Sequence, residues 1–146
     1  MMVRPYLNNG PFMFTYGDGV SNVDFEKLID FHDEQRKKHG ILVTITGVHP
    51  RSKYGLVKFT EDGLVTNFTQ YPQLPDYTNA GFWVVEQGFF DYTKPNQMIE
   101  DALIEAAKDG KVAMYAHEDF WHSMDTYKDK EDLEKLWKSD PKWKTW

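Results

Sequence analysis

Apolar and polar residues follow two different periods along this chain, and the changes of period predict its secondary structure. Short apolar or alternating runs are typical of strands, and apolar positions repeated every three or four residues are typical of helices. Residues 54–60 and 63–70 flank Glu61 and Asp62, with Gly63 directly after them, which indicates a β-hairpin. The remaining predicted strands are 11–16, 41–48, 78–86, 111–118 and, more weakly, 120–125, and the predicted helices are 21–40, 96–110 and 129–139.

The order of these elements predicts an α/β fold with a mixed sheet. The strand–helix–strand start indicates a βαβ unit, and the hairpin adds antiparallel strands. In the first helix, Phe25, Leu28, Ile29 and His32 share one face that we expect to pack inward, with Ser21 or Asn22 as the N-cap. In the last helix, Trp137 is expected to join the core with Leu133 and Leu136.

Composition narrows the class of protein. The 146 residues suffice for a single domain spanning 1–146, and 40% of them are hydrophobic, as in a globular protein. A net charge of -6 argues against non-specific nucleic-acid binding. The absence of cysteine excludes disulfides and zinc–thiolate sites. No apolar run is long enough for a signal peptide or a membrane span, so we expect a soluble, cytoplasmic domain without membrane or nucleic-acid partners.

Two carboxylates stand where apolar segments end. Asp18 lies between Gly17 and Gly19 after the first strand, and Asp125 follows the apolar segment FWHSM. Ligands of α/β sheets bind beyond the carboxyl ends of strands, and Mg²⁺ prefers carboxylate oxygens. One interpretation is that the loops present both carboxylates to a metal. The alternative is that Asp18 stabilises a turn and that Asp125 or Thr126 begins the last helix.

Other polar groups give weaker signals. His117, Glu118, Asp119, His122 and Asp125 are close in sequence but do not have the H-E-x-x-H spacing, so hydrogen-bonded histidines are the favoured interpretation. Arg51 and Lys53 are candidates for holding a phosphate or are solvated loop charges. Trp143 and Trp146 need a surface to pack on, either in this chain or in a partner.

Several segments together resemble one family, the sugar-1-phosphate nucleotidylyltransferases, and most of all its glucose-1-phosphate cytidylyltransferase branch. They occur in the family order and cover nearly the whole chain. The segments are FMFTYGDGVSNVD (12–24), ILVTITGV with the loop to Tyr54-Gly55, TNAGFWV (78–84), FWHSMDT (120–126), DKEDLEKLW (129–137) and WKTW (143–146).

The resemblance implies a Rossmann-like, GT-A-like fold and a Mg²⁺-dependent reaction of a nucleoside triphosphate with a sugar 1-phosphate, which releases pyrophosphate. By the same resemblance Asp18 and Asp125 are the catalytic residues and metal ligands. The residues it places around the sugar phosphate or nucleotide sugar are Gly17, Gly19, Tyr54, Gly55, Gln70, Tyr71, Asn79, Gly81 and Asp101.

The chain also departs from the family pattern. It has no glycine-rich G-G-x-G-T-R segment, so we expect the first third or more of a family domain to be absent. The family's F-x-E-K-P reads Phe68-Thr69-Gln70-Tyr71-Pro72, so a phenol replaces the lysine expected to hold the phosphate. The family's E-P-L reads Asp101-Ala102-Leu103, and its N-G-G reads Asn79-Ala80-Gly81.

Three hypotheses follow from these departures. The chain is part of an enzyme that a separate N-terminal chain completes, or it is a non-catalytic homologue that binds a sugar nucleotide or forms an oligomer. The third hypothesis is a folded remnant without a task. Under the first two we expect the isolated chain to be inactive and to associate with itself or with the missing part.

Overall fold

The computed structural model describes residues 3–145, which form a sheet with a helix on each face. The strands are β1 (Phe12–Thr15), β2 (Gly19–Ser21), β3 (Val43–Val48), β4 (Leu56–Phe59), β5 (Val65–Thr69), β6 (Thr78–Val85), β7 (Val112–Ala116) and β8 (Trp121–Ser123). The α-helices are α1 (Phe25–His39), α2 (Ile99–Lys108) and α3 (Tyr127–Ser139). Arg4–Tyr6 and Gln87–Tyr92 form short 3₁₀ helices.

Strand β6 organises the main sheet, whose order is β1-β6-β3-β7. It pairs antiparallel with both β1 and β3, and β3 pairs parallel with β7. The prediction of a mixed sheet is therefore confirmed. The predicted βαβ unit takes a split form, because β1 and β3 are parallel but β6 lies between them. The carboxyl ends of β1, β3 and β7 consequently lie at the same edge of the sheet.

Successive side chains of β3 and β6 point to opposite faces of the sheet and pack in two different layers. Val43, Trp83 and Val85 pack with Ala102 and Ala106 of α2 in a fully buried cluster. On the opposite face, α1 covers the sheet through residues such as Leu28, which is also fully buried. Since burial of a valine or leucine side chain contributes about 1.5–3 kcal/mol, these contacts hold both helices on the faces of the sheet.

Helix α1 differs from its sequence prediction in its first turn. Asp24 is the N-cap and accepts a hydrogen bond from the backbone N–H of Lys27, whereas Ser21 belongs to β2. The hydrogen bond from the Lys27 ammonium and this backbone hydrogen bond lower the pKa of Asp24. Of the predicted inward residues, Leu28 and His32 are buried, but Phe25 and Ile29 are more than 40% exposed.

Two ribbons lie outside the main sheet. Strands β2 and β8 pair antiparallel, as do β4 and β5 of the predicted hairpin.

The expectation that Trp137 is part of the core is wrong: its side chain is 52% exposed and stacks on Trp143. Trp143 also stacks on Phe120, so this chain provides its packing surface, while Trp146 lies outside the described residues. Among residues 3–145, none of the helices has the length and apolar character needed to cross a bilayer.

Gly81 allows β6 to bend against Tyr16, the residue that follows β1. The register of β3 and β6 shifts between Ile45 and Gly47, opposite Gly81, whose φ is +82°. A Cβ added to Gly81 would lie 2.7 Å from Cδ2 of Tyr16. Glycine is therefore needed for the backbone conformation and for the close approach of the ring.

We expect Gly81→Ala to lower the free energy of unfolding by about 2–4 kcal/mol, since it adds a steric clash to left-handed strain. Gly110→Ala is the matched control, because Gly110 has a φ of +67° and an added Cβ would meet nothing within 4 Å. That control should cost about 1–2 kcal/mol. Urea denaturation measures both values, and equal losses would contradict the contribution of the Tyr16 contact.

Candidate functional site

The β2–β8 ribbon brings the loops of Asp18 and Asp125 together. Gly19 pairs with Ser123, and just beyond them the backbone N–H of Met124 donates to the Asp18 carbonyl at 2.8 Å. Both aspartates are exposed, so their carboxylates are accessible to solvent. The sequence-predicted metal ligands therefore lie on adjacent backbone segments at one end of the ribbon.

The glycines on either side of Asp18 are not required by close packing. A Cβ added to Gly17 would meet nothing within 4 Å. A Cβ added to Gly19 would lie 3.5 Å from the Ala80 carbonyl oxygen, which is an ordinary contact. The packing of the chain therefore does not require glycine at position 17, and the open volume there favours the interpretation of a loop that presents Asp18 to a ligand.

Asp125 is not the cap of the last helix. Thr126 caps α3 in a reciprocal capping box with Asp129. The Thr126 hydroxyl and backbone, together with the nearby Lys53 ammonium, lower the pKa of Asp129. The carboxylate of Asp125 instead accepts hydrogen bonds from Ser123 Oγ at 2.9 Å and from Lys53 Nζ at 3.2 Å. Asp125 is thus held by side chains of the ribbon and of the β3–β4 loop.

The donor set is compatible with Mg²⁺, although it is small. Within residues 3–145, no group of three or more histidine, aspartate or glutamate side chains is arranged to hold a metal ion. Mg²⁺ is commonly held by one or two carboxylates, with water and substrate phosphates as its other ligands. Asp18 and Asp125 fit that mode of binding and do not form a closed metal cage.

The base of the hairpin gathers four of the predicted binding residues, Tyr54, Gly55, Gln70 and Tyr71. A Cβ on Gly55 would lie 2.5 Å from the Phe68 ring and 2.9 Å from Gln70 Oε1, so the two strands meet closely here. Tyr54 is exposed, and Tyr71 has a φ of 52°.

A lysine from α3 covers the ring of Tyr71. The ammonium of Lys128 lies 5.3 Å from the ring centroid, within the range of a cation–π contact. The position where the family carries a lysine thus has a phenol with an ammonium above it.

The predicted sugar-binding residue Asn79 is a central member of a hydrogen-bond network. Its Oδ1 accepts from the backbone N–H of Gly81 at 3.0 Å and from Trp83 Nε1 at 2.8 Å. Its Nδ2 donates to the Tyr16 hydroxyl at 3.1 Å, and that hydroxyl donates to Glu100 Oε1. Asn79 therefore holds the bulge of β6 in place beside the Asp18 loop.

Glu100, and not its predicted neighbour Asp101, makes the contact with this network. Asp101 is exposed in the first turn of α2, while Glu100 reaches Tyr16. Burial, followed by the hydrogen bond and the negative charge of Glu100, raises the pKa of Tyr16 to about 12. Tyr16 is therefore a neutral hydrogen-bond donor at physiological pH.

The histidine cluster agrees with the favoured interpretation from the sequence. His117 is buried, and its Nε2 lies 3.1 Å from Asn22 Oδ1 and 3.2 Å from both Ser21 Oγ and the Phe120 carbonyl. Asn22 Nδ2 in turn donates to Asp119. These contacts tie β2 to the β7–β8 connection.

Sequence reasoning missed Glu100 and Lys128. For Lys53 it left two interpretations open, a phosphate ligand or a solvated loop charge. Glu100 lies next to Asp101, which the family pattern had selected. Lys128 lies between the matched segments 120–126 and 129–137, so the pattern gave no signal for it. A helical projection of α2 does not reveal which acidic residue faces β1. The contact between Lys128 and Tyr71 joins segments far apart in sequence.

The chain belongs to the nucleotidyl transferase family, whose model matches residues 3–143. It is similar to a protein of Bacillus subtilis (strain 168) named "Probable glucose-1-phosphate cytidylyltransferase", with 34% identity over 100% of this chain and 57% of the relative. It is also 35% identical to the glucose-1-phosphate cytidylyltransferase of Salmonella typhi, over 92% of this chain and 52% of that protein. The chain thus spans about half the length of these relatives.

Solved structures show the same fold at low sequence identity. A Bacillus anthracis protein, assigned as a glucose-1-phosphate thymidylyltransferase and crystallised with sucrose, matches 94% of this chain and 58% of its own, with a TM-score of 0.68 and 13% identity. HddC from Yersinia pseudotuberculosis matches 92% of this chain and 59% of its own, with a TM-score of 0.60 and 15% identity. The predicted Rossmann-like nucleotidyltransferase fold is confirmed.

We expect Glu100→Gln to lower the pKa of Tyr16 from about 12 part of the way toward its ordinary value of 10, because a neutral amide no longer opposes the phenolate. Ultraviolet titration of tyrosinate measures the change, read as the difference between each protein and its Tyr16→Phe counterpart. Glu105→Gln is the control, because Glu105 is exposed on the same helix. An unchanged titration in Glu100→Gln would contradict the assigned contact.

The raised pKa also sets a direction for stability. Because the folded pKa of Tyr16 exceeds its ordinary value, the associated stabilisation is present below pH 10 and is lost as the pH rises toward 12.

Proposed function

We propose that this chain forms the metal-binding and sugar-phosphate-binding part of a nucleotidyltransferase that joins CTP and glucose 1-phosphate to give CDP-glucose and pyrophosphate. The observation that carries the proposal is the pairing of the Asp18 and Asp125 loops across the β2–β8 ribbon. The similarity to glucose-1-phosphate cytidylyltransferases over the whole chain supports the choice of substrates.

The two aspartates are proposed to act as the metal ligands and to orient the phosphates. Mg²⁺, when bound, offsets the negative charge that develops on the phosphates during in-line attack. The open space at Gly17 lets phosphate oxygens approach the Asp18 loop. The chain's own residues therefore position the reacting groups and exclude incorrect geometries, which is the main protein contribution in phosphoryl transfer.

The sugar is proposed to lie beside the bulge of β6. Asn79 and Gly81 border this region, and Tyr16 and Glu100 fix the orientation of Asn79 through the network described above. Gln70 and Tyr71 at the hairpin base are proposed to contribute to the same site. The rest of the base and triphosphate contacts are proposed to come from the part of the family domain that these 146 residues do not include.

We expect the chain to bind CDP-glucose in the presence of Mg²⁺ and to lose this binding in EDTA. Asp18→Asn and Asp125→Asn should each weaken the Mg²⁺-dependent binding by at least about tenfold, because each removes a carboxylate ligand. Isothermal titration calorimetry measures the affinities.

Asp30→Asn is the matched control, because Asp30 is exposed on α1 away from the ribbon. It should bind like the wild type. Equal binding with Mg²⁺ and with EDTA, or binding that survives both aspartate substitutions, would contradict the proposed metal site.

The second candidate is a non-catalytic module that associates with itself, and the surface of the hairpin favours it. In the β4–β5 register, Val57 pairs with Phe68 and Phe59 with Val65, which places these four side chains on one face. All four are exposed. A two-stranded ribbon also leaves backbone groups available at both edges, and the same face on a second copy provides an apolar partner surface.

Under this second candidate, Phe59→Ser with Phe68→Ser should shift the protein toward monomer at tens of micromolar, because the substitutions remove most of the apolar area of that face. Sedimentation velocity measures the shift. Tyr6→Ser is the control, because Tyr6 is 88% exposed and lies far from the hairpin in sequence. A wild-type protein that is already monomeric would contradict self-association through this face.

A further inference from the structure

We propose that Lys53 is an exchangeable counter-ion of the metal site: it neutralises Asp125 when no divalent cation is bound, and metal binding releases it to a phosphate group. The inference rests on the proposed function, since it concerns the same two aspartates. The inference adds a role for Lys53, which is not one of these aspartates, and it couples the binding of the cation to the binding of phosphate.

The first step is the ion pair itself. Lys53 Nζ lies 3.2 Å from Asp125 Oδ2, and the two side chains are 59% and 48% exposed. A divalent cation and an ammonium group compete for the same carboxylate oxygens. Because an exposed ion pair is weak, a doubly charged ion can displace the ammonium at small cost.

The second step concerns where Lys53 remains after displacement. The backbone N–H of Ser52 donates to the Pro72 carbonyl at 2.8 Å, which fixes the start of the loop beside Tyr71. The Tyr54 N–H donates to Ser52 Oγ at 3.1 Å and holds the other side of Lys53. The released ammonium therefore stays close to Asp125 and Tyr71.

The third step is the second lysine. Lys128 holds its ammonium over the ring of Tyr71, next to the segment that anchors the Lys53 loop. A phosphate entering with the metal would meet Lys128 together with the released Lys53. Two ammonium groups from separate elements thus provide positive charge at a position where Tyr71 itself provides none.

The test measures two affinities in Lys53→Met, which removes the charge and keeps a long side chain. The affinity for Mn²⁺ alone, measured by electron paramagnetic resonance, should increase by about two- to fivefold because the competing ammonium is gone. The affinity for glucose 1-phosphate at saturating Mn²⁺, measured by calorimetry, should decrease by about threefold or more. A merely structural role of Lys53 would not move the two affinities in opposite directions.

Controls separate this inference from the proposed function. Lys58→Met, on the exposed strand β4, should leave both affinities unchanged. In an Asp125→Asn background, Lys53→Met should no longer tighten Mn²⁺ binding. If Mn²⁺ binding depends on Asp125 but is unchanged or weakened by Lys53→Met, the exchange is overturned while the metal site stands. If the wild type binds no Mn²⁺, the metal site and the exchange both fail.

Discussion

The pairing of β2 with β8 is the constraint on which the candidate site depends. Each strand has three residues, and neither belongs to the main sheet. The ribbon nevertheless fixes the relative position of the two loops that carry Asp18 and Asp125. Contacts of His117 with Ser21 and Asn22 hold the ribbon in place. The hydrogen bond from Trp121 Nε1 to the Ala80 carbonyl at 2.9 Å joins it to β6. Since short isolated ribbons are marginally stable, these side-chain contacts are necessary for the geometry of the site.

The electrostatics of the site follow from this placement. Asp18 and Asp125 would repel each other if both carboxylates remained uncompensated, and the nearby Lys53 ammonium reduces that repulsion. Further from the ribbon, Tyr16 stays protonated and links Asn79 to Glu100. The site therefore combines an exposed charge pair with a network of hydrogen bonds beside the bulge of β6.

Local patterns predicted much of this fold, and long-range contacts account for what they missed. The helices, the hairpin and the strands of the main sheet have periods or turn signals that a single segment carries. Strand β2 has only three residues after a glycine-flanked turn, so no period distinguishes it from the start of α1. The same limit applies to the site: Asp18 and Asp125 are recognisable at strand ends, but the contacts of Glu100 with Tyr16 and of Lys128 with Tyr71 depend on tertiary packing.

The positions of the paired strands along the chain also determine when the site can form as the chain is made. Strand β1 pairs with β6, and β2 pairs with β8, so each early strand waits for a partner from a much later segment. A chain emerging from the ribosome can form α1 and the β4–β5 hairpin first, since their contacts are local. The two aspartate loops meet only after β8 has emerged. Metal binding that needs both loops can therefore act only on a chain in which all four strands of the main sheet have already been synthesised.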